Sequence, residues 1–302
     1  MRIKNTALKL LSKLLPFFIC VSTFILLTYA ASSSAGLPGD KFIELSIIHT
    51  NDTHGNFQEI WKNGRSDVST IASLKNEIMK KNENNQILLL DAGDIMNHQP
   101  NLELMASDLE AMSKSGYDAV ALGNHDVKIG LYKLNQLSQK LNLPVVCANL
   151  VYKDTNDYVF KPYIIKDIGG VKIGILGFTT PETIESMNSE DSSKVTILKP
   201  EKAYSIIIDK FKSECDVRIV LSHLGTDEDM RLAKTHQKLS IIVGGHTPDA
   251  VKEPEFIESS AVVNTGKFGI NVGRLNVTLD TENLEIKSIN GDLFRVGDKS
   301  EL

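Results

Sequence analysis

Short clusters of side chains able to do chemistry punctuate this sequence, each directly behind an apolar run. They are Thr50-Asn51-Asp52-Thr53-His54-Gly55, Asp91-Ala92-Gly93-Asp94, Leu122-Gly123-Asn124-His125-Asp126 and Gly244-Gly245-His246-Thr247, with Ser222-His223 as a further piece. Asp52 and His54, in one turn, can face one ion. Asp94 has two carboxylate oxygens and can bridge two. Asn124 adds a neutral oxygen, and His223 and His246 add imidazole nitrogens. This mixed oxygen and nitrogen set suits Mn²⁺, Zn²⁺, iron or Co²⁺ better than Mg²⁺, and the scarcity of thiolate argues against a structural zinc. Two ions ~3.5–4 Å apart can clamp a phosphoryl group, activate a water and stabilise a leaving oxygen. His125 could then protonate that leaving group.

Each residue alone has a plainer explanation. Asp52 and Asn124 suit turns, and His223 could simply end a strand. Six such residues at strand ends are not explained by turn chemistry, so the set reads as a metal centre. His49 precedes the first turn and suits packing. His98 lines the pocket without being counted as a ligand, and His236 falls on a polar helix face at the surface.

The elements that must position these clusters alternate. Phe42 to Ile48 reads as a strand, and Ser66 caps a helix to about Lys81 with Val68, Ile71, Leu74 and Ile78 on one face. Ile87 to Leu90 is apolar throughout, as in a sheet covered on both sides. Helices over 101–115, 130–141, 200–212 and 227–236 interleave with strands over 118–122, 144–149, 217–221 and 239–243. Gly169-Gly170 joins two strands as a hairpin. Beyond Pro254 only strands follow. A strand that ends in a polar turn puts those groups at the rim of a sheet, where open α/β folds keep their sites. The pattern predicts a mixed sheet in two layers with helices outside.

The N-terminus differs in kind. Arg2, Lys4, Lys9 and Lys13 precede an apolar run from Leu14 to Tyr29, and small residues follow at Ala30 and Ala31. Residues 1–30 therefore read as a secretory signal peptide, residues 31–41 as a short N-terminal segment, and 42–302 as one catalytic domain. Cleavage moves the formal charge from −5 to −9. An acidic chain without a basic stripe is a poor binder of nucleic-acid polymers. The expected location is the periplasm or the outside of the cell, with no membrane contact after cleavage. Cys147 and Cys215 read as two buried free thiols.

These motifs, in this order, resemble the calcineurin-like metallophosphoesterases. More narrowly, they resemble the N-terminal catalytic domain of the secreted 5′-nucleotidase / UDP-sugar hydrolase / 2′,3′-cyclic phosphodiesterase family. His49-Thr50-Asn51-Asp52, Gly177-Phe178-Thr179-Thr180, Leu221-Ser222-His223-Leu224-Gly225, Gly266-Lys267-Phe268-Gly269 and Val272-Gly273-Arg274-Leu275 extend the match over about 42–280. The resemblance implies an α/β/β/α sandwich of four layers and a small phosphorylated substrate such as a nucleotide. It also implies two divalent ions (Mn, Zn, Fe or Co), with Asp52, His54 and Asp94 at the first and Asp94, Asn124, His223 and His246 at the second. His125 is the implied catalytic residue.

The sequence departs from that pattern in two places. Where the family has an aspartate three residues after the catalytic histidine, this chain has Lys128, a cation that lowers a nearby imidazole's pKa. Where the family has a ligand two residues after the Gly-Gly-His histidine, this chain has Pro248. Nothing here resembles the family's C-terminal domain that stacks the base, so a nucleotide preference does not carry over with the fold. Two alternatives follow: a slow or non-catalytic member that binds metal or phosphate, and a hydrolase of sulfur esters.

Overall fold

The computed structural model describes residues 41–57, 71–81, 86–236 and 239–296. The signal-peptide reading and the start of the Ser66 helix lie outside them. Among the described residues no helix is long and apolar enough to cross a membrane.

The first half of the chain runs β1 (Phe42–Thr50), α1 (Ile71–Lys81), β2 (Gln86–Asp91), α2 (Leu102–Ser115), β3 (Ala119–Ala121), α3 (Leu131–Lys140) and β4 (Val145–Val146). After β5 (Leu150–Tyr152) come β6 (Tyr163–Ile168), β7 (Val171–Thr179), α4 (Thr183–Ser186), α5 (Ser189–Lys194) and β8 (Val195–Ile197). The remainder is α6 (Pro200–Glu214), β9 (Val217–His223), α7 (Thr226–Thr235), β10 (Ile241–Gly244), β11 (Glu255–Ile257), β12 (Ser260–Val263), β13 (Asn271–Asp280) and β14 (Glu285–Arg295). The expected strand over 144–149 is shorter than read. Only Val145–Val146 joins the main sheet, and β5 pairs with β8 in a separate ribbon.

Two six-stranded sheets result, ordered β14-β13-β1-β2-β3-β4 and β11-β12-β10-β9-β7-β6. In the first, β1 to β4 are parallel and β13 closes β1 antiparallel. In the second, β7, β9, β10 and β12 are parallel, and β6 pairs with β7 through the Gly169-Gly170 turn. Parallel strands deliver their C-terminal ends to one edge, which is where the polar turns lie.

Alternation along the strands sorts side chains between three cores. Leu45, Ile47, Leu88 and Leu90 of the first sheet meet Ile173, Ile175, Ile219 and Ile241 of the second. Ile48 and Leu89 point the other way, onto Leu74 of α1, Leu109 of α2 and Leu134 of α3. Leu176, Phe178 and Val220 face Phe211 of α6 and Leu232 of α7. Helix, sheet, sheet and helix are therefore the four layers of an α/β/β/α sandwich. Cys147 packs in the first outer core and Cys215 in the opposite one, so two layers of sheet separate these free, buried thiols.

The two sheets press together where Gly177 of β7 faces β4. A Cβ on Gly177 would lie 2.1 Å from the carbonyl oxygen of Val146. Backbone cannot yield as a side-chain tip can, so Gly177→Ala is expected to lower the unfolding free energy by about 3 kcal/mol. Urea denaturation measures this, and an unchanged midpoint would show that the sheets are free to separate there.

Candidate functional site

The polar turns stand at the ends of β1, β2, β3, β9 and β10, and their backbone is unusual. Asp52, His54, Asp94 and His246 all adopt positive φ, at 48°, 48°, 58° and 72°. Asp and His tolerate this region better than most residues, and a strained backbone held by its surroundings is a common mark of a functional site.

Two turns of the first sheet lock together. Gly123 lies so close to the β2 turn that a Cβ would sit 2.1 Å from the amide nitrogen of Asp94, so only glycine permits the contact. Asp126 opens a 3-10 turn (Asp126–Ile129), and its carboxylate accepts from the N–H groups of Gly123 (2.9 Å), Asp94 (3.0 Å) and Met96 (2.9 Å). Burial and the charge of Asp94 raise the Asp126 pKa to about 6 against those N–H bonds.

The second sheet is clasped to the first by two further bonds. His223 Nδ1 lies 2.7 Å from the Ala92 carbonyl oxygen, and the His246 N–H donates to Asp52 Oδ2 at 2.8 Å. A carbonyl only accepts, so His223 Nδ1 carries a hydrogen and Nε2 faces the pocket. That is the usual way a ligating imidazole is oriented. Nε2 lies 3.3 Å from Asp94 Oδ2 and 3.2 Å from Asn124 Oδ1. Burial works to lower the His223 pKa, but Asp94 and Asp52 outweigh it and raise it to about 10. Burial would likewise raise the Asp94 pKa, yet His223 and the His125 N–H hold it below the usual carboxylate range. Positive charge is favoured at this point.

His54 repeats the pattern. Its Nδ1 lies 3.3 Å from the Met96 carbonyl, which leaves Nε2 free. That nitrogen and Asp52 Oδ1 are 3.7 Å apart, both are buried, and neither has a hydrogen-bond partner. Native interiors seldom leave two such atoms facing one another unsatisfied. A divalent ion between them would satisfy both, so the residues fit the ions that the sequence implies.

His246 Nδ1 lies 3.2 Å from Asn124 Oδ1, and its Nε2 lies 3.3 Å from Glu182 Oε2. Thus Asp52, His54, Asp94, Asn124, His125, His223 and His246 converge in one cluster of turns. His49 stays apart, buried against Gly273 on the neighbouring strand. His236, expected at the surface, is half-buried with its ring 4.4 Å from that of Tyr204. The apolar ring beneath it is what draws it in. His98 stands between two site histidines, its ring 4.9 Å from His54 and 4.4 Å from His125.

His125 is held from an unexpected side. Lys128 Nζ lies 2.6 Å from His125 Nδ1 and 3.1 Å from the His98 carbonyl. An ammonium only donates, so His125 Nδ1 accepts and Nε2 carries the hydrogen. Burial, with Lys128 and the two neighbouring histidines and against Asp94, lowers the His125 pKa to about 4. His125 thus presents a neutral Nε2–H towards Asp94 Oδ2, 3.8 Å away.

Sequence reasoning did not find the positioning residues. Asn51 accepts from the Thr265 N–H and hydroxyl and donates to the Gly266 carbonyl, and so pins that loop beside Asp52. Asp126 and Glu182 act similarly on Asp94 and His246. Asn51 and Asp126 adjoin site residues, which is a weak signal, and Glu182 has none.

Comparison with known proteins agrees with this geometry. The calcineurin-like phosphoesterase profile matches residues 45–250. A 5′-nucleotidase of Vibrio cholerae is 31% identical over 288 residues, which is 83% of this chain and 52% of that protein. Protein UshA of Escherichia coli is 27% identical over 327 residues, 96% of this chain and 58% of its own. This chain therefore spans about half the length of the curated relatives it matches. The crystal structure of the calcineurin-like phosphoesterase YfkN from Bacillus subtilis has the same fold, with a TM-score of 0.70 at 22% identity over 84% of this chain and 91% of that one. The profile covers well over half of the sequence, and the chain belongs to the calcineurin-like phosphoesterase family.

Proposed function

We propose that this chain is an exported, metal-dependent phosphoesterase that hydrolyses small phosphate esters, nucleotides among them. The observation that carries the reading is the pair of buried, unsatisfied atoms Asp52 Oδ1 and His54 Nε2 beside the Asp94–His223 pair. Asp52, His54 and Asp94 would hold one divalent ion, and Asp94, Asn124, His223 and His246 a second. When bound, such ions place positive charge against a phosphoryl group and acidify the attacking water.

The chain's own side chains supply the rest. His125 offers an Nε2–H to an oxygen of the ester, and Asn124 keeps His246 and His223 turned inward. Asp126 fixes the two turns that carry Asp94 and Asn124. The name of one relative, 5′-nucleotidase, favours a nucleotide substrate. The basic and apolar stretch over residues 1–30 supports export to a periplasm or the medium.

Lys128 favours a second reading in which turnover is slow. A carboxylate in its place would accept from Nδ1–H and stabilise an imidazolium, the better proton donor, whereas the ammonium does the reverse.

Phosphate release with Mn²⁺ from AMP, a 2′,3′-cyclic nucleotide and p-nitrophenyl phosphate tests the proposal. Release is expected on at least one substrate and should fall by about a thousandfold in Asp94→Asn, since that group serves both ions. Equal release by the variant would refute the assignment. Asp126→Asn touches no ligand atom but loosens the turns, and is expected to cost about 10- to 100-fold in activity or metal affinity. Lys128→Asp should raise kcat by about tenfold or more, by stabilising the protonated His125. A drop in kcat would mean that the Lys128 ammonium supports turnover, by its own charge or through the His98 loop that it tethers.

A further inference from the structure

Three imidazoles meet at the edge of the site: His54, His98 and His125 place one ring nitrogen each within 4.8 Å of one another. His54 is buried, His125 half-buried and His98 exposed. The three are not chemically equivalent. His54 has its Nδ1 at the Met96 carbonyl, so its unpartnered Nε2 carries a lone pair. His125 has its Nδ1 taken by Lys128, so its Nε2 carries a hydrogen and can only donate. Only His98 has both ring nitrogens without an assigned role beside the lone pair of His54.

The loop that carries His98 is set in place rather than free to wander. Lys128 Nζ donates to the His98 carbonyl at 3.1 Å, the Gly55 N–H donates to the Ile95 carbonyl at 2.7 Å, and the Met96 N–H donates to Asp126 at 2.9 Å. The His98 ring lies nearly parallel to that of His54, with an interplanar angle of 18°. Two imidazoles on one ion at ~2.1 Å each have nitrogens no more than ~4.2 Å apart. The exposed side chain of His98 can rotate to bring its nitrogen within that range. Pro248, two residues beyond His246, has no side-chain donor to offer an ion.

We propose that His98 is a metal ligand, completing with Asp52 and His54 the coordination of the ion at that end of the site. The set is then two imidazoles and one carboxylate, with Asp94 beside it, a donor mix for Zn²⁺, Mn²⁺, Fe²⁺ or Co²⁺. This deepens the two-ion reading above and rests on it. It also gives His98 and His125 opposite tasks: one binds the cation, the other donates a hydrogen bond to the anion the cation attracts.

Titration of the full, metal-free chain with Co²⁺ alone, followed by its visible absorption and by equilibrium dialysis, tests this without any substrate. Wild type is expected to take up two equivalents. His98→Ala should weaken one of them at least tenfold, with loss of its share of the visible absorption, and leave the other unchanged. His98→Asp, which keeps a ligand in that place, should restore the second equivalent. Thermal melts of the metal-free variants should match wild type, which confirms an intact fold. Two equivalents bound as before by His98→Ala would overturn the proposal, as would equal weakening of both or no rescue by aspartate. Failure to release phosphate would refute the phosphoesterase reading and leave this titration unaffected.

Discussion

The burial of Asp52, Asp94 and Asp126 within one cluster of turns is the constraint on which this structure depends. Asp52, Asp94 and Asp126 are all nearly inaccessible to solvent, and an ionised group in such a place costs several kcal/mol unless it is paired and hydrogen-bonded. Each is satisfied differently. Asp126 takes three backbone N–H groups and becomes a brace. Asp94 takes the His125 N–H and faces His223, while Asp52 takes the His246 N–H and keeps one oxygen with no partner. The residual negative charge is what makes the pocket a place for cations.

The same bonds explain why two sheets meet as they do. Asp52 and Ala92 belong to turns of the first sheet, yet they hold the backbone of His246 and the ring of His223 from the second. The site is thus a set of clasps between layers, and glycine is required where the turns press together at Gly123. Left-handed backbone at four of the acidic and histidine positions is the other cost. Asp and His bear it more easily than β-branched residues would, so ligand chemistry and turn chemistry select the same residue types here.

That coincidence sets how much was legible in the sequence. Strand and helix alternation, the Gly169-Gly170 hairpin and the apolar run Ile87 to Leu90 announced a covered mixed sheet in two layers, and the polar turns behind each strand announced the cluster. What escaped was whatever depends on packing between distant segments. The early end of the 144–149 strand goes with Asn149, whose side chain bonds the Thr179 and Leu198 backbone just before β5. His236 looked exposed by helical position but finds Tyr204 on α6. Glu182 reaches His246 from the turn before α4, distant in the chain, with nothing local to mark it.

Lys128 shows how one substitution can redirect several roles. Its ammonium bonds both His125 Nδ1 and the His98 carbonyl, so one charge decides which nitrogen of His125 carries hydrogen and where the His98 loop rests. A carboxylate at that position could hold an Nδ1–H but could not donate to a carbonyl, and the His98 loop would lose its tether. The cation at 128 and the loop of His98 are therefore parts of one structural arrangement. Lys128 thus sets the donor side of the site, and Asp52 and Asp94 set its cation side.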